Sequence, residues 1–134
     1  MPQLSIAVVD DDAGVLHAMG DALRILGYAV HEAASFDEGK ALFDGELRPD
    51  LLITDVNLGP GPTGIDLVDS VRSRLPDLPV LVLSGRHAEL TFATPATARS
   101  IFLPKPTQFK VLRQALADLT QAAVPSPAMG NLSP

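Results

Sequence analysis

Three short stretches of the chain are almost wholly apolar: Leu4 to Val9 (LSIAVV), Leu51 to Thr54 (LLIT) and Val80 to Ser84 (VLVLS). Each is rich in Val, Ile and Leu and lacks the polar alternation of a strand with one wet face. The pattern predicts strands covered on both faces, as in a parallel sheet. Two weaker runs, Ala29 to Glu32 and Ser100 to Leu103, bring the set to five. Between these runs the apolar period becomes helical. Val15, Met19, Leu23 and Leu26 form one stripe, and Gly27 supplies its C-terminal stop. A second helix spans Phe36 to Phe43 behind Ser35, a good N-cap residue. Ile65, Val68 and Val71 make a third stripe, closed by Pro76, and Leu112, Leu116 and Leu119 make the last.

Strand and helix therefore alternate with short connections. That order predicts an α/β sandwich, a parallel sheet with helices on both sides joined by right-handed crossovers. Five strands and about five helices fill residues 1–122 as one domain, and residues 123–134, which run into VPSPAMGNLSP, read as a flexible tail. One stretch fits poorly. Between Ser84 and Phe102 the fold needs a crossover helix, the fourth in chain order, yet Pro95 and several threonines interrupt it. That crossover is expected to be short, irregular or mobile.

Composition narrows the function classes. At 134 residues, 46% hydrophobic and 19% charged, the chain can bury a core and is not a disordered segment. Sixteen acidic residues against ten basic ones argue against direct nucleic-acid binding, which needs a basic face. With no cysteine there is no disulfide framework, thiolate metal site or Cys nucleophile. No apolar run approaches the roughly 20 residues of a membrane span. The N-terminus meets three acids directly after its apolar run and has no basic region before it, unlike a signal peptide. A cytoplasmic location with no membrane insertion is the expectation.

In an open α/β sheet, ligands bind outside the carboxyl ends of the strands. Asp10, Asp11 and Asp12 follow the first run, Asp55 the third strand, Ser84 and Gly85 the fourth, and Lys105 the fifth, between Pro104 and Pro106. Carboxylates, a hydroxyl and an ammonium from separate strands thus converge on one edge. Clustered carboxylates raise one another's pKa unless a cation joins them, and a hard ion with oxygen ligands, Mg²⁺ above all, suits them. A carboxylate in such a site can act as nucleophile on a phosphoryl group. A hydroxyl and a lysine would hold the remaining phosphoryl oxygens. Asp12 is the expected cap of the first helix and not a ligand. His17, His31 and His87 have no metal-ligand spacing, and GPGPTG lacks the Gly-Lys-Ser/Thr ending of a P-loop, so it reads as a turn-rich loop.

VVDDD, LLITD, LVLSG and FLPKP, in that order and each at a strand end, resemble the receiver domain of two-component response regulators, chemotaxis-regulator-like and single-domain. The resemblance covers residues 4 to about 122. It implies a flavodoxin-like (βα)5 three-layer sandwich with strand order 2-1-3-4-5. It also implies that Asp55 accepts a phosphoryl group from a sensor histidine kinase or histidine phosphotransfer protein. Asp10, Asp11 and Asp55, with the backbone carbonyl of Asn57, would hold Mg²⁺. Ser84 would bind the phosphoryl group, and Lys105 would be the essential lysine, joined to Pro106 by a cis peptide. Ser84 and Phe102 would form the switch. Such a protein catalyses its own phosphorylation and dephosphorylation without turning over external substrates. Because the chain ends soon after its last helix, output is expected through protein contacts, with the downstream target unidentified. Gly64 lies nine positions after Asp55, one more than the usual family spacing, and Thr107 stands where Phe is common.

Other readings compete. A haloacid-dehalogenase-like phosphatase also uses a strand-end Asp nucleophile, and Asp10 and Asp12 have its spacing; Gly14 stands where that family wants Thr or Val, and a late acidic pair is missing. A pseudo-receiver acting as a binding module would lack working chemistry, whereas every expected site residue is present. A receiver segment of a hybrid histidine kinase is the remaining alternative, with the tail serving as a linker.

Overall fold

The apolar runs become strands because uninterrupted Val, Ile and Leu can be covered only between two helical layers. The computed structural model describes residues 3–45, 48–84, 100–105 and 108–123. Along these run β1 (Ser5–Val9), α1 (Ala13–Ile25), β2 (Ala29–Ala33), α2 (Phe36–Asp44), β3 (Leu51–Asp55), α3 (Gly64–Arg72), β4 (Val80–Ser84), β5 (Ile101–Pro104) and α4 (Phe109–Ala123). All five strands are parallel, in the order β2-β1-β3-β4-β5. This is the expected flavodoxin-like arrangement. The expected crossover helix between Ser84 and Phe102, Gly85, His87, the Lys105–Pro106 peptide, Thr107 and the tail beyond Ala123 fall wholly or partly outside the described residues.

Alternate side chains of each strand feed two cores. Ala7, Val9, Leu52, Val80 and Val82 pack under α2 and α3 through Phe43, Leu67, Val68 and Val71. Ile6, Val8, Ile53, Leu81 and Leu83 pack under α1 and α4 through Leu16, Leu23, Leu112, Leu116 and Leu119. Each fully buried aliphatic side chain contributes about 1.5–3 kcal/mol, so the central strands hold the site from behind. Among the described residues, no helix is long and apolar enough to cross a membrane.

Local signals agree with the elements. Asp12 caps α1, its side chain accepting from the Val15 N–H at 3.1 Å, and Ser35 caps α2 by accepting from Glu38 N–H at 3.1 Å. Gly27 ends α1 with φ at 101°. The buried stripe of α1 is Leu16, Gly20 and Leu23, a face rotated from the apolar stripe expected there, with Met19 and Leu26 only partly buried against the core. A polar cluster lies beside that face. The Glu32 carboxylate of β2 lies over Gly20, where a Cβ would collide with it. It pairs with His17 Nδ1 at 2.6 Å and with the Arg24 guanidinium at 3.0 Å. A glycine contributes nothing to an apolar stripe, so the contact leaves no hydropathy signal.

The chain order places a crevice at the sheet's carboxyl edge. β1 has β2 on one side and β3 on the other, so the connections leaving β1 and β3 turn to opposite faces. Ligands bind at such a switch point.

Candidate functional site

Asp10 stands one residue past β1, its N–H bonded to the Ala33 carbonyl at 3.1 Å, and only 3% of it is exposed. Its Oδ1 accepts the Asp12 N–H at 2.9 Å, which leaves Oδ2 facing the crevice. Asp55 ends β3 and is 7% exposed. Lys105 reaches both: its Nζ lies 2.9 Å from Asp10 Oδ2 and 3.0 Å from Asp55 Oδ2. Asp11 is the exposed member of the group. One oxygen from each of Asp10, Asp11 and Asp55 lies within 4.8 Å of the others.

That donor set fits a hard divalent cation such as Mg²⁺, which takes oxygen ligands only. Three carboxylates against one ammonium also leave two negative charges uncompensated, the charge such an ion would supply.

The remaining expected residues take distinct places. Ser84 closes β4 and is 2% exposed; it sits one residue beyond Leu83, the register partner of Asp55. Its carbonyl accepts the Lys105 N–H at 2.8 Å, so hydroxyl and ammonium come from neighbouring strand ends. Phe102 is opposite Val82 and packs half-buried against the core under α2 and α3. Asn57 is exposed. Its N–H approaches Asp55 Oδ1 at 3.4 Å, while its side-chain oxygen accepts the Gly59 N–H at 3.0 Å.

Two contributors carried no apolar or charge signal. Thr54, fully buried, donates its hydroxyl to the Asp55 carbonyl at 2.9 Å. Gly64 brings the start of α3 onto the end of β3, where its N–H bonds the Val56 carbonyl at 2.7 Å. A Cβ there would overlap the Asp55 carbonyl oxygen, lying 2.8 Å from its carbon and 2.9 Å from Thr54 Oγ1. The extra residue between Asp55 and Gly64 is taken up in the loop, which turns at Gly59 and Gly61 with φ of 91° and 99°. The Asn-Leu-Gly order at 57–59 was the available sequence cue for that turn.

Electrostatics follow the geometry. Burial raises the Asp55 carboxyl above its ordinary 3.8; the neighbouring Asp10 charge acts the same way, and Lys105 only partly opposes them. Burial pulls the Lys105 ammonium down, but hydrogen bonds and charge from Asp10 and Asp55 outweigh it and hold it above 10.5. A folded carboxyl with a raised pKa keeps its proton where the unfolded chain has lost it. The stability it contributes is present below 3.8 and lost as pH rises through the raised value. In metal-free buffer, Asp55→Asn is therefore expected to be more stable than the native chain at pH 7. The gap should narrow as pH falls toward 3.8, and paired urea midpoints across that range measure it. A native chain more stable than the variant at pH 7 would contradict the assigned sign.

Comparisons with known proteins agree with this geometry. The family model described as response regulator receiver domain matches residues 6–117. The transcriptional regulatory protein GlrR of Escherichia coli is 32% identical over 123 residues; the match covers 90% of this chain and 27% of that protein, so the chain spans about a quarter of the relative's length. A response regulator receiver domain protein from Clostridium thermocellum superposes with a TM-score of 0.78 at 28% identity, covering 88% of this chain and 94% of that one. Chemotaxis protein CheY4 of Vibrio cholerae superposes with a TM-score of 0.79 at 27% identity, over 88% and 99% of the two chains. With the sheet order, the strand-end acids and a family match spanning nearly every element in agreement, the chain belongs to the response regulator receiver domain family.

Proposed function

We propose that this receiver accepts a phosphoryl group on Asp55 from a phosphohistidine of a sensor histidine kinase or histidine phosphotransfer protein in the cytoplasm. Signalling then passes through protein contacts. The observation that carries the reading is the Asp55 carboxylate at a strand end, grouped with the oxygens of Asp10 and Asp11 and 3.0 Å from Lys105 Nζ.

In the transfer, an Asp55 carboxylate oxygen forms the new O–P bond as the P–N bond to the donor imidazole breaks. The bonding pair stays with the imidazole nitrogen. Asp10 and Asp11, with Asp55 and the Asn57 carbonyl, would hold Mg²⁺, and that ion would supply positive charge to offset the phosphoryl oxygens. Lys105 exchanges its carboxylate partner on Asp55 for a phosphoryl oxygen, and the Ser84 hydroxyl donates to another. Movement of Ser84 toward the phosphoryl group gives Phe102 room to turn inward, biasing a two-state surface. Residues 1–122 form the receiver unit in this reading, with 123–134 as its tail.

The test is intact mass after incubation with acetyl phosphate. A single phosphoryl gain that disappears when Mg²⁺ is chelated supports the proposal. No gain, together with no binding of beryllofluoride, would make the chain a pseudo-receiver instead. The cation has a separate readout. At one hundred times its Kd, Mg²⁺ should stabilise the native fold by about 2.7 kcal/mol. Asp11→Asn should lose most of that gain in thermal unfolding, and an equal Mg²⁺ response in the variant would remove Asp11 from the ligand set.

A further inference from the structure

Resting on the cation site proposed above, we propose that the Asn57 side chain is a positioning residue for that site. It acts through Gly59 to fix the loop that flanks Asp11. Asp11 is the exposed carboxylate of the three, and among the described residues it has no hydrogen-bond or ion-pair partner. Asp10, by contrast, is held by the Asp12 N–H and Lys105. Something else must limit where the Asp11 oxygens rest.

The β3–α3 loop supplies that limit. Its base is closed by the Gly64 N–H on the Val56 carbonyl at 2.7 Å, and buried Leu58 anchors it in the core under α2 and α3. Beyond Leu58 the chain turns at Gly59 with φ at 91°, a conformation open to glycine. A Cβ built on this glycine would lie 3.6 Å from Asp11 Oδ2, so the backbone of the turn runs alongside that carboxylate. The Asn57 side-chain oxygen holds the turn by accepting the Gly59 N–H at 3.0 Å. Asn57 also directs its own N–H at Asp55 Oδ1, 3.4 Å away. One residue thus ties the loop to the buried acceptor and to the wall beside the exposed ligand.

The consequence is selectivity. Mg²⁺ demands near-ideal octahedral geometry with short bonds, whereas Ca²⁺ tolerates longer bonds and irregular shells. A loosened wall beside Asp11 therefore costs Mg²⁺ more than Ca²⁺. Calorimetric titration of the metal-free chain with each ion tests this. Asn57→Ala is expected to weaken Mg²⁺ about tenfold, the usual effect of losing a group behind a ligand, with Ca²⁺ changing much less. Asn57→Ser keeps a neutral side-chain acceptor within reach of the Gly59 N–H and should recover much of the native Mg²⁺/Ca²⁺ ratio.

Urea midpoints without metal separate positioning from damage. A shifted ratio at an unchanged midpoint supports the proposal. An unchanged ratio overturns it, as does parallel loss of both ions with a lowered midpoint. Native and Asp11→Asn titrations run beside these distinguish the two levels. If the native chain takes up no Mg²⁺, the site reading itself fails. If it binds through Asp11 while Asn57→Ala matches it, only the role of Asn57 fails.

Discussion

The Asp55→Asn protein is expected to take up no phosphoryl group: after acetyl phosphate and Mg²⁺ its intact mass stays that of the unmodified chain, while the native chain gains one. The rate should fall at least about a thousandfold, since an amide lacks the anionic oxygen that attacks phosphorus. The substitution conserves shape. A side-chain amide oxygen can still accept from Lys105, so folding is retained and the loss is chemical. The neighbouring acids are poor substitutes. Asp10 has one oxygen on the Asp12 N–H and the other on Lys105, and Asp11 is exposed at the rim. Labelling of the variant at the native rate would move the acceptor elsewhere and undo the site assignment.

The largest expected loss of stability comes from Gly64→Ala, about 3 kcal/mol by urea unfolding. Alanine is the better helix former, by about 1 kcal/mol, but packing decides here. The new methyl would overlap the Asp55 carbonyl oxygen and lie 2.9 Å from Thr54 Oγ1, both fixed in or beside the central strand. Relief requires α3 to withdraw from β3, which breaks the 2.7 Å bond from Gly64 N–H to the Val56 carbonyl. Forced overpacking of this kind costs about 1–3 kcal/mol or more. Gly61→Ala is the matched control. Its φ is 99° but nothing lies within 4 Å of the added Cβ, so only backbone strain of about 1 kcal/mol remains. Equal destabilisation by the two substitutions would show that contact with β3 is not what requires glycine at position 64.

Legibility tracks the kind of interaction involved. Strands buried on both faces wrote themselves as apolar runs, and all five strand starts fall within one residue of the expected run, with Ala29, Leu51 and Val80 unchanged. Asp10, Asp11, Asp55 and Lys105 were readable as a group because strand-end position alone brings them to one edge. Close backbone approach was not readable, because the spacing of Gly64 does not reveal that it rests against the Asp55 carbonyl. Nor was the need for glycine at position 20, where the Glu32 carboxylate of another strand occupies the space a side chain would fill. Side-chain bonds such as Asn57 to Gly59 depend on a loop path that composition does not fix.

The bond from the Lys105 N–H to the Ser84 carbonyl has a mechanical consequence. It yokes the ends of β4 and β5 one residue beyond the last register pair of β3 and β4, Asp55 with Leu83. Hydroxyl and ammonium therefore share one carriage. A displacement that advances the serine toward a newly attached anion drags the lysine's attachment point with it, and the edge strand carrying Phe102 is the part that must yield. In the proposed switch, the compliance of β5, the shortest and least buried strand of the sheet, then limits how far Ser84 can advance and Phe102 can turn.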